Sequence, residues 1–131
     1  MPSAFENLSG PGKPLKAEPP DADEFAGLRR SGLARLKDAG VRELSLESRF
    51  DLAYNAAHAL CLAALRWHGY RSTNRYIVFQ LLPHSLGLGP EVNLGEYEGD
   101  LNVDERIVTD LIAACRIVAA KLEGLSPIAK A

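Results

Sequence analysis

The sequence predicts an all-α fold in which one central helix is surrounded by other helices. Residues 45–69 contain no formally charged side chain between Asp51 and Arg66, and their apolar residues fall on nearly every side of a helical wheel. A helix that is apolar all round is buried on most of its faces. This one is too short, and too interrupted by Asn55 and His58, to cross a bilayer. We therefore expect other helices to cover it.

Length and composition indicate one domain of ordinary globular type. The chain has 131 residues, of which 47% are hydrophobic and 24% charged, with a formal net charge of -2. These values exclude fibrous and wholly disordered classes, and they disfavour binding of nucleic acid through the overall field of the protein. Cys61 and Cys115 lie in apolar stretches, and no secretory or membrane segment is predicted. We expect a cytoplasmic protein with reduced cysteines and no membrane association.

The sequence divides into three segments. Residues 1–20 hold five of the eight prolines and show no periodicity, so they predict an extended Pro-rich arm that either floats or lies over the bundle. Residues 21–125 form the single helical bundle domain, and residues 126–131 form a C-terminal tail. On this interpretation, removal of the arm should leave the bundle folded.

The first two helices of the bundle have clear start and stop signals. Asp21, followed three residues later by Glu24, resembles a capping box, and Gly40 marks the end of the first helix. Ser45 is the predicted N-cap of the central helix, and Gly69 supplies a left-handed residue after its last turn.

The second half of the chain predicts two more helices. A shorter helix begins near Asn74 and weakens or ends at Pro83; part of it is compatible with a strand, but no partner strand is predicted. Asn102 and Glu105 form a second capping pattern, and the last helix runs to Gly124. The glycine-rich residues 87–99 are the least regular part.

Three polar side chains interrupt the central helix: Tyr54, Asn55 and His58. A buried polar group costs about 1–3 kcal/mol unless it is hydrogen-bonded, so these side chains either find partners in the core or line a cleft. A metal site from His58, Cys61 and Cys115 would lack one ligand and the spacing of structural zinc sites. We predict no metal and no cofactor.

A cluster of basic and aromatic residues follows the central helix. It contains Arg66, Arg71, Arg75 and Tyr76 within eleven residues. Cations neutralise phosphates and aromatic rings stack on unpaired bases, so the mixture predicts binding of RNA or nucleotide. The structural alternative is that the cations stabilise a helix C-terminus and the aromatic rings cap the core. The acidic residues between 91 and 105 match no EF-hand and are expected to be solvated.

Two strings resemble the HEPN superfamily, the small helical domains named for higher eukaryotes and prokaryotes nucleotide-binding. They are FDLAYNAAHALCLAALRWHGYR, residues 50–71, and NLGEYEGDL, residues 93–101. The resemblance implies an up-and-down bundle of four to five helices that pairs into a homodimer. It also implies metal-independent ribonuclease activity, often in a toxin paired with a nucleotidyltransferase-type antitoxin.

The catalytic signature of the family is only partly present. Asn93 matches its polar position, but Val92 stands where the family has Arg, and Tyr97 stands where the family has His. The resemblance therefore assigns Asn93 and Tyr97 to the catalytic positions and implies binding of RNA or nucleotide with weak or no ribonuclease activity. The alternative is a non-catalytic homodimeric helical interaction module.

Overall fold

The computed structural model describes residues 4–88 and 102–129, and it is mostly helical. The predicted all-α class is confirmed in that most of the described residues are helical. The elements, in chain order, are α1 (Ala4–Asn7), β1 (Lys16–Ala17), α2 (Ala22–Ala39), α3 (Leu46–Trp67), β2 (Tyr70–Arg71), α4 (Arg75–Gln80), α5 (Leu82–Ser85) and α6 (Glu105–Glu123).

Short polar side chains cap the N-termini of α2 and α3 as predicted. The Asp21 carboxylate accepts a hydrogen bond from the Glu24 backbone N–H at 2.8 Å at the start of α2. The Ser45 hydroxyl accepts one from the Ser48 N–H at 3.1 Å at the start of α3. Each satisfies an N–H that has no partner within its helix. Gly69 has a φ of 89° just after α3, which is the left-handed conformation expected there.

The later helix starts are partly different from the prediction. Asn74 caps α4 as expected, and its side chain accepts from the Ile77 N–H at 3.3 Å. The predicted start of α6 at Asn102 is wrong, because Asp104 is the N-cap and its carboxylate accepts from the Ile107 N–H at 2.8 Å. Asp104 lies three residues before that N–H, within reach of its short side chain, and its charge favours the positive end of the helix dipole.

The central helix α3 is the middle of the core, as its apolar wheel predicts. It packs mainly against α2 and α6, and also contacts α4 and α5. Gly32 of α2 lies so close to α3 that a Cβ at this position would be 2.7 Å from the Leu60 Cγ. Leu60, Leu111 and Val118 are fully buried between the three long helices. The lack of a side chain at Gly32 therefore allows α2 to approach α3 closely.

The N-terminal arm lies over the bundle and is packed against it. Strand β1 pairs antiparallel with β2, with Lys16 opposite Arg71, although no strand pair was predicted. The pair forms because the loop after α3 presents unpaired backbone groups to the arm. Phe5 and Leu15 have exposed fractions of only 7% and 1%. Of the two predicted states of the arm, the structure shows the packed one.

Within the described ranges, none of the helices combines the length and the apolar character that a membrane crossing requires.

Candidate nucleic-acid interface

Arg66, one of the predicted binding residues, lies inside the protein. Its side chain is 1% exposed. The guanidinium donates to the carbonyl oxygens of Glu18 at 2.9 Å and Pro19 at 2.7 Å, and to a carboxylate oxygen of Glu24. A guanidinium held in this way has no surface donor for a phosphate. Arg66 therefore attaches the arm and α2 to the end of α3.

Arg71 shares the same two carboxylates. Its Nε and Nη2 donate to Glu18 Oε2 at 3.0 and 2.8 Å, and Nη2 also donates to Glu24. Hydrogen bonds from Arg71 are the largest cause that lowers the pKa of both glutamates, and the same contacts raise the pKa of Arg71. We call Glu18, Glu24, Arg66 and Arg71 the arm network. Most of the charge of these two arginines is neutralised within the chain.

Arg75 and Tyr76 lie in a different environment at the start of α4. Both are exposed. Arg75 Nη2 donates to the side-chain oxygen of Asn55 at 3.0 Å, and its guanidinium carbon lies 5.5 Å from the centre of the Tyr54 ring. Among the described residues, no carboxylate forms an ion pair with Arg75. Arg75 therefore keeps its positive charge at the surface.

His58 lies on α3, one turn after Tyr54. Its Nε2 is buried and has no hydrogen-bond partner among the described residues. Burial is the main cause that lowers the pKa of His58, and the charge of Arg75 lowers it further. The imidazole is consequently neutral at neutral pH. Its ring packs edge-on against Phe79, with 6.3 Å between the ring centres.

Arg75 contacts Asn55 and Tyr54 and acts on the charge of His58, and Tyr76 follows it on α4. We call these five residues the α3–α4 face: Tyr54, Asn55, His58, Arg75 and Tyr76. From the sequence, we expected the polar residues of α3 either to find hydrogen-bond partners in the core or to line a cleft. Arg75 and Tyr76 belonged to a separate basic and aromatic cluster. The structure joins the two sets, because α4 folds back on α3 and brings Arg75 to residues 20 positions earlier. Only the four-residue spacing of Tyr54 and His58 indicated such a face from sequence. At its surface the face offers the cation of Arg75 and the exposed ring of Tyr76.

The remaining candidate groups are structural or lie elsewhere. Asn93 and Tyr97, assigned to catalytic positions by the resemblance, are outside the described residues. Cys61 and Cys115 are buried free thiols, and burial raises the pKa of Cys115 to about 12, so neither is a reactive thiolate. The part of the chain that the structure describes contains no group of three or more His, Cys, Asp or Glu arranged to hold a metal ion.

Comparison of the chain with protein-family models, with curated proteins and with solved structures gives no significant match.

Proposed function

We propose that this chain is a HEPN-like helical domain of a toxin–antitoxin or RNA-processing type system. It binds single-stranded RNA or a nucleotide through the α3–α4 face and has weak or no ribonuclease activity. The observation that carries the proposal is the position of Arg75, an exposed cation that is held by the neutral Asn55 amide and the Tyr54 ring beside exposed Tyr76.

The physical argument starts from what a single strand offers to a protein. Its phosphates require cations that are not already paired, and its unstacked bases require rings that are open to solvent. Tyr76 has 47% of its surface exposed, more than a tyrosine needs merely to cap the core. The Asn55 side chain is itself fixed, because its nitrogen donates to the Asp51 carbonyl at 2.8 Å. Arg75 is therefore preorganised for contact with a phosphate.

The four predicted binding residues have different roles in this proposal. Arg75 and Tyr76 contact the nucleic acid directly. Arg71 contributes a residual positive field, and Arg66 is a structural residue of the arm network. A binding site made only from Arg75 and Tyr76 with the neighbouring α3 groups is small, which fits a local contact on a protein with a net charge of -2.

The test is fluorescence anisotropy of a labelled single-stranded RNA with the wild type, Arg75→Gln and Tyr76→Ala. Tyr76→Ala should weaken binding about fivefold to 150-fold, because stacking of one base on an aromatic ring contributes about 1–3 kcal/mol. Arg75→Gln should weaken binding and reduce the slope of log affinity against log salt by about 0.7.

Two matched variants control this experiment. Arg30→Gln removes an exposed cation from α2 and should bind within about twofold of the wild type. Tyr76→Phe keeps the ring and should retain most of the affinity. If Arg30→Gln weakens binding as much as Arg75→Gln does, only net charge matters and the α3–α4 face is not the site.

Catalysis is tested separately, by RNA cleavage without metal ions. Asn93→Ala and Tyr97→Phe are compared with the wild type in the same assay. We expect little or no cleavage from any of the three, because a tyrosine with an ordinary pKa of about 10 is a poor general base at neutral pH. Robust cleavage by the wild type that both variants lose would instead make this chain an active nuclease.

A second candidate function is the non-catalytic homodimeric interaction module, and exposed apolar side chains favour it. Leu33 of α2 and Ile117 of α6 have exposed fractions of 38% and 40%, and α2 and α6 pack side by side. We propose a homodimer through these helices, with a nucleotidyltransferase-type antitoxin as a further partner. The molar mass from light scattering should be that of a dimer and should fall to a monomer's in Leu33→Gln/Ile117→Gln.

A further inference from the structure

A cavity lies between the arm and the chain that follows α3, outside the α3–α4 face. Its volume is about 630 Å³, which is within the usual range of small-molecule sites. The lining includes Lys13, Lys16 and Arg71, the hydroxyl residues Ser72 and Thr73, and the apolar wall of Leu15. The cavity exists because β1 pairs with β2 while the preceding glycine- and proline-containing turn folds back over the sheet.

The charges around this cavity are unbalanced. Among the described residues that line it, three are cations, Lys13, Lys16 and Arg71, and none is Asp or Glu. The carboxylates of Glu18 and Glu24 form ion pairs with Arg71, and both also pair with the buried Arg66. Four cations therefore stand against two carboxylates, and the excess of two positive charges matches a dianion.

The cationic groups keep donors that can reach a ligand. Arg71 uses Nε and Nη2 for the two glutamates, and its Nη1 has no hydrogen bond among the described residues. Lys13 Nζ donates one hydrogen bond, to the Asn7 carbonyl at 3.0 Å, and an ammonium group has three donors. Lys16 lies 3.9 Å from Glu18 and is 77% exposed. Both ammonium groups and one edge of the guanidinium thus keep donors for an anion in addition to the contacts that they already make.

Hydroxyl groups and an apolar wall complete the site. Ser72 is 6% exposed, and its Oγ already accepts from the Asn74 N–H at 3.1 Å, which leaves its own hydrogen to be donated. Thr73 offers a second hydroxyl at the same edge. Leu15 and the two prolines of the turn supply the apolar side. Such a combination suits a ligand with a compact charged head and an apolar or aromatic body.

We propose that this cavity binds a small phosphomonoester, with the phosphate held by Lys13, Lys16, the free edge of Arg71 and the hydroxyls, and the organic body against Leu15. A phosphomonoester carries about -1.5 to -2 charges at pH 7, which matches the excess of cations. Charge-assisted hydrogen bonds to phosphate are the strong class of hydrogen bond, and an arginine edge is suited to them. The proposal is independent of the proposed function at the α3–α4 face.

The test is titration calorimetry of the full chain with phenyl phosphate, inorganic phosphate and phenol. Phenyl phosphate should bind more tightly than either of its two parts, because only it engages both the cations and the apolar wall. Lys16→Gln should weaken phenyl phosphate binding about threefold to tenfold, the effect of losing one charge-assisted contact. Thr73→Val, which changes no charge, should also weaken it. Lys37→Gln, which removes an exposed cation at the end of α2, should not.

Two results with the ligands and the lysine variants would overturn the proposal, and a third with Arg75→Gln would move the site. One is binding of phenyl phosphate no tighter than that of phenol. The other is an equal effect of Lys16→Gln and Lys37→Gln, which would show a response to net charge alone. Arg75→Gln should leave phenyl phosphate binding unchanged, and a loss there with normal binding by Lys16→Gln would place the ligand on the α3–α4 face instead. A thermal melt of each variant confirms that it is folded.

The phosphomonoester can be a free small molecule or the 5′ end of an RNA. A short RNA with a 5′-phosphate is therefore compared with the same RNA bearing a 5′-hydroxyl. A preference for the phosphorylated end that Lys16→Gln removes supports the cavity as a site for RNA ends. Equal binding of the two RNAs, with phenyl phosphate binding intact, supports a free small molecule.

Discussion

Replacement of Arg66 by methionine should destabilise the protein far more than replacement of an exposed arginine. Methionine keeps the apolar stem of the side chain but removes the donors to the carbonyls of Glu18 and Pro19 and to the Glu24 carboxylate. Removal of one partner of a buried ion pair costs about 3–5 kcal/mol. Glu24 keeps Arg71 and is 31% exposed, so water compensates part of the loss and we expect about 2–4 kcal/mol.

The assay is urea denaturation of Arg66→Met and Arg29→Met beside the wild type. Arg29 forms an ion pair with Glu123 at 3.2 Å, in which the side chains are 37% and 66% exposed, so its loss should cost less than about 1 kcal/mol. In a thermal melt, the midpoint of the Arg66 variant should lie about 6–16 °C below that of the wild type for a domain of this size.

A second measurement on the same variant reports on the attachment of the arm. Lys16 is exposed and is followed by Ala17, and trypsin should cleave after it faster in Arg66→Met because the arm is released from the end of α3. Equal stability of the Arg66 and Arg29 variants, with unchanged trypsin cleavage, would refute the conclusion that Arg66 is a structural residue.

Three further predictions concern the arm and the helix contact. Glu18 and Glu24 have lowered pKa values when folded, so their contribution to stability is present above the unfolded pKa near 4.5 and is lost as pH falls through the folded values. In urea denaturation, the free energy of unfolding of Glu24→Gln should therefore fall less steeply than that of the wild type below about pH 5. An unchanged pH profile would contradict this. Gly32→Ala should destabilise by about 1–3 kcal/mol because its Cβ meets Leu60, whereas Gly27→Ala, whose Cβ meets only the end of Arg30 at 3.8 Å, should stabilise by about 0.5–1 kcal/mol, both measured by thermal melting. Leu15→Ala should cost about 2–4 kcal/mol of unfolding free energy, and a loss no larger than that of Leu33→Ala would return the arm to the floating state first considered.

Local sequence rules predicted α2, α3, α4 and α6 because their signals lie within one turn, but they did not predict α1 or α5. Asp21, Ser45 and Asn74 each cap a helix through an N–H three residues later, so the residue type and its position were sufficient. The error at the start of α6 has the same origin, since Asn102 and Asp104 are both good caps and only the backbone conformation selects between them. The central position of α3 followed from its apolar wheel.

The candidate site could not be predicted in the same way, because its members come from distant parts of the chain. The sequence showed Arg66, Arg71 and Arg75 as one basic cluster within ten residues. The structure divides them: Arg66 and Arg71 meet glutamates about 50 residues earlier, while Arg75 meets Asn55 on α3. The residues next to each arginine in sequence do not indicate which distant group it contacts, so only the tertiary contacts reveal which one keeps a free charge.

The arm nevertheless contains a physical reason for needing an arginine at the end of α3. Strand β1 ends at Ala17, and the two residues after Glu18 are Pro19 and Pro20, which have no N–H and cannot extend the strand pairing. The carbonyls of Glu18 and Pro19 remain, and where they face another part of the protein instead of water they require donors from outside the segment. Arg66 supplies several donors from one buried group. The proline pair thus predicts that an external donor must exist, although its identity depends on where the arm crosses α3.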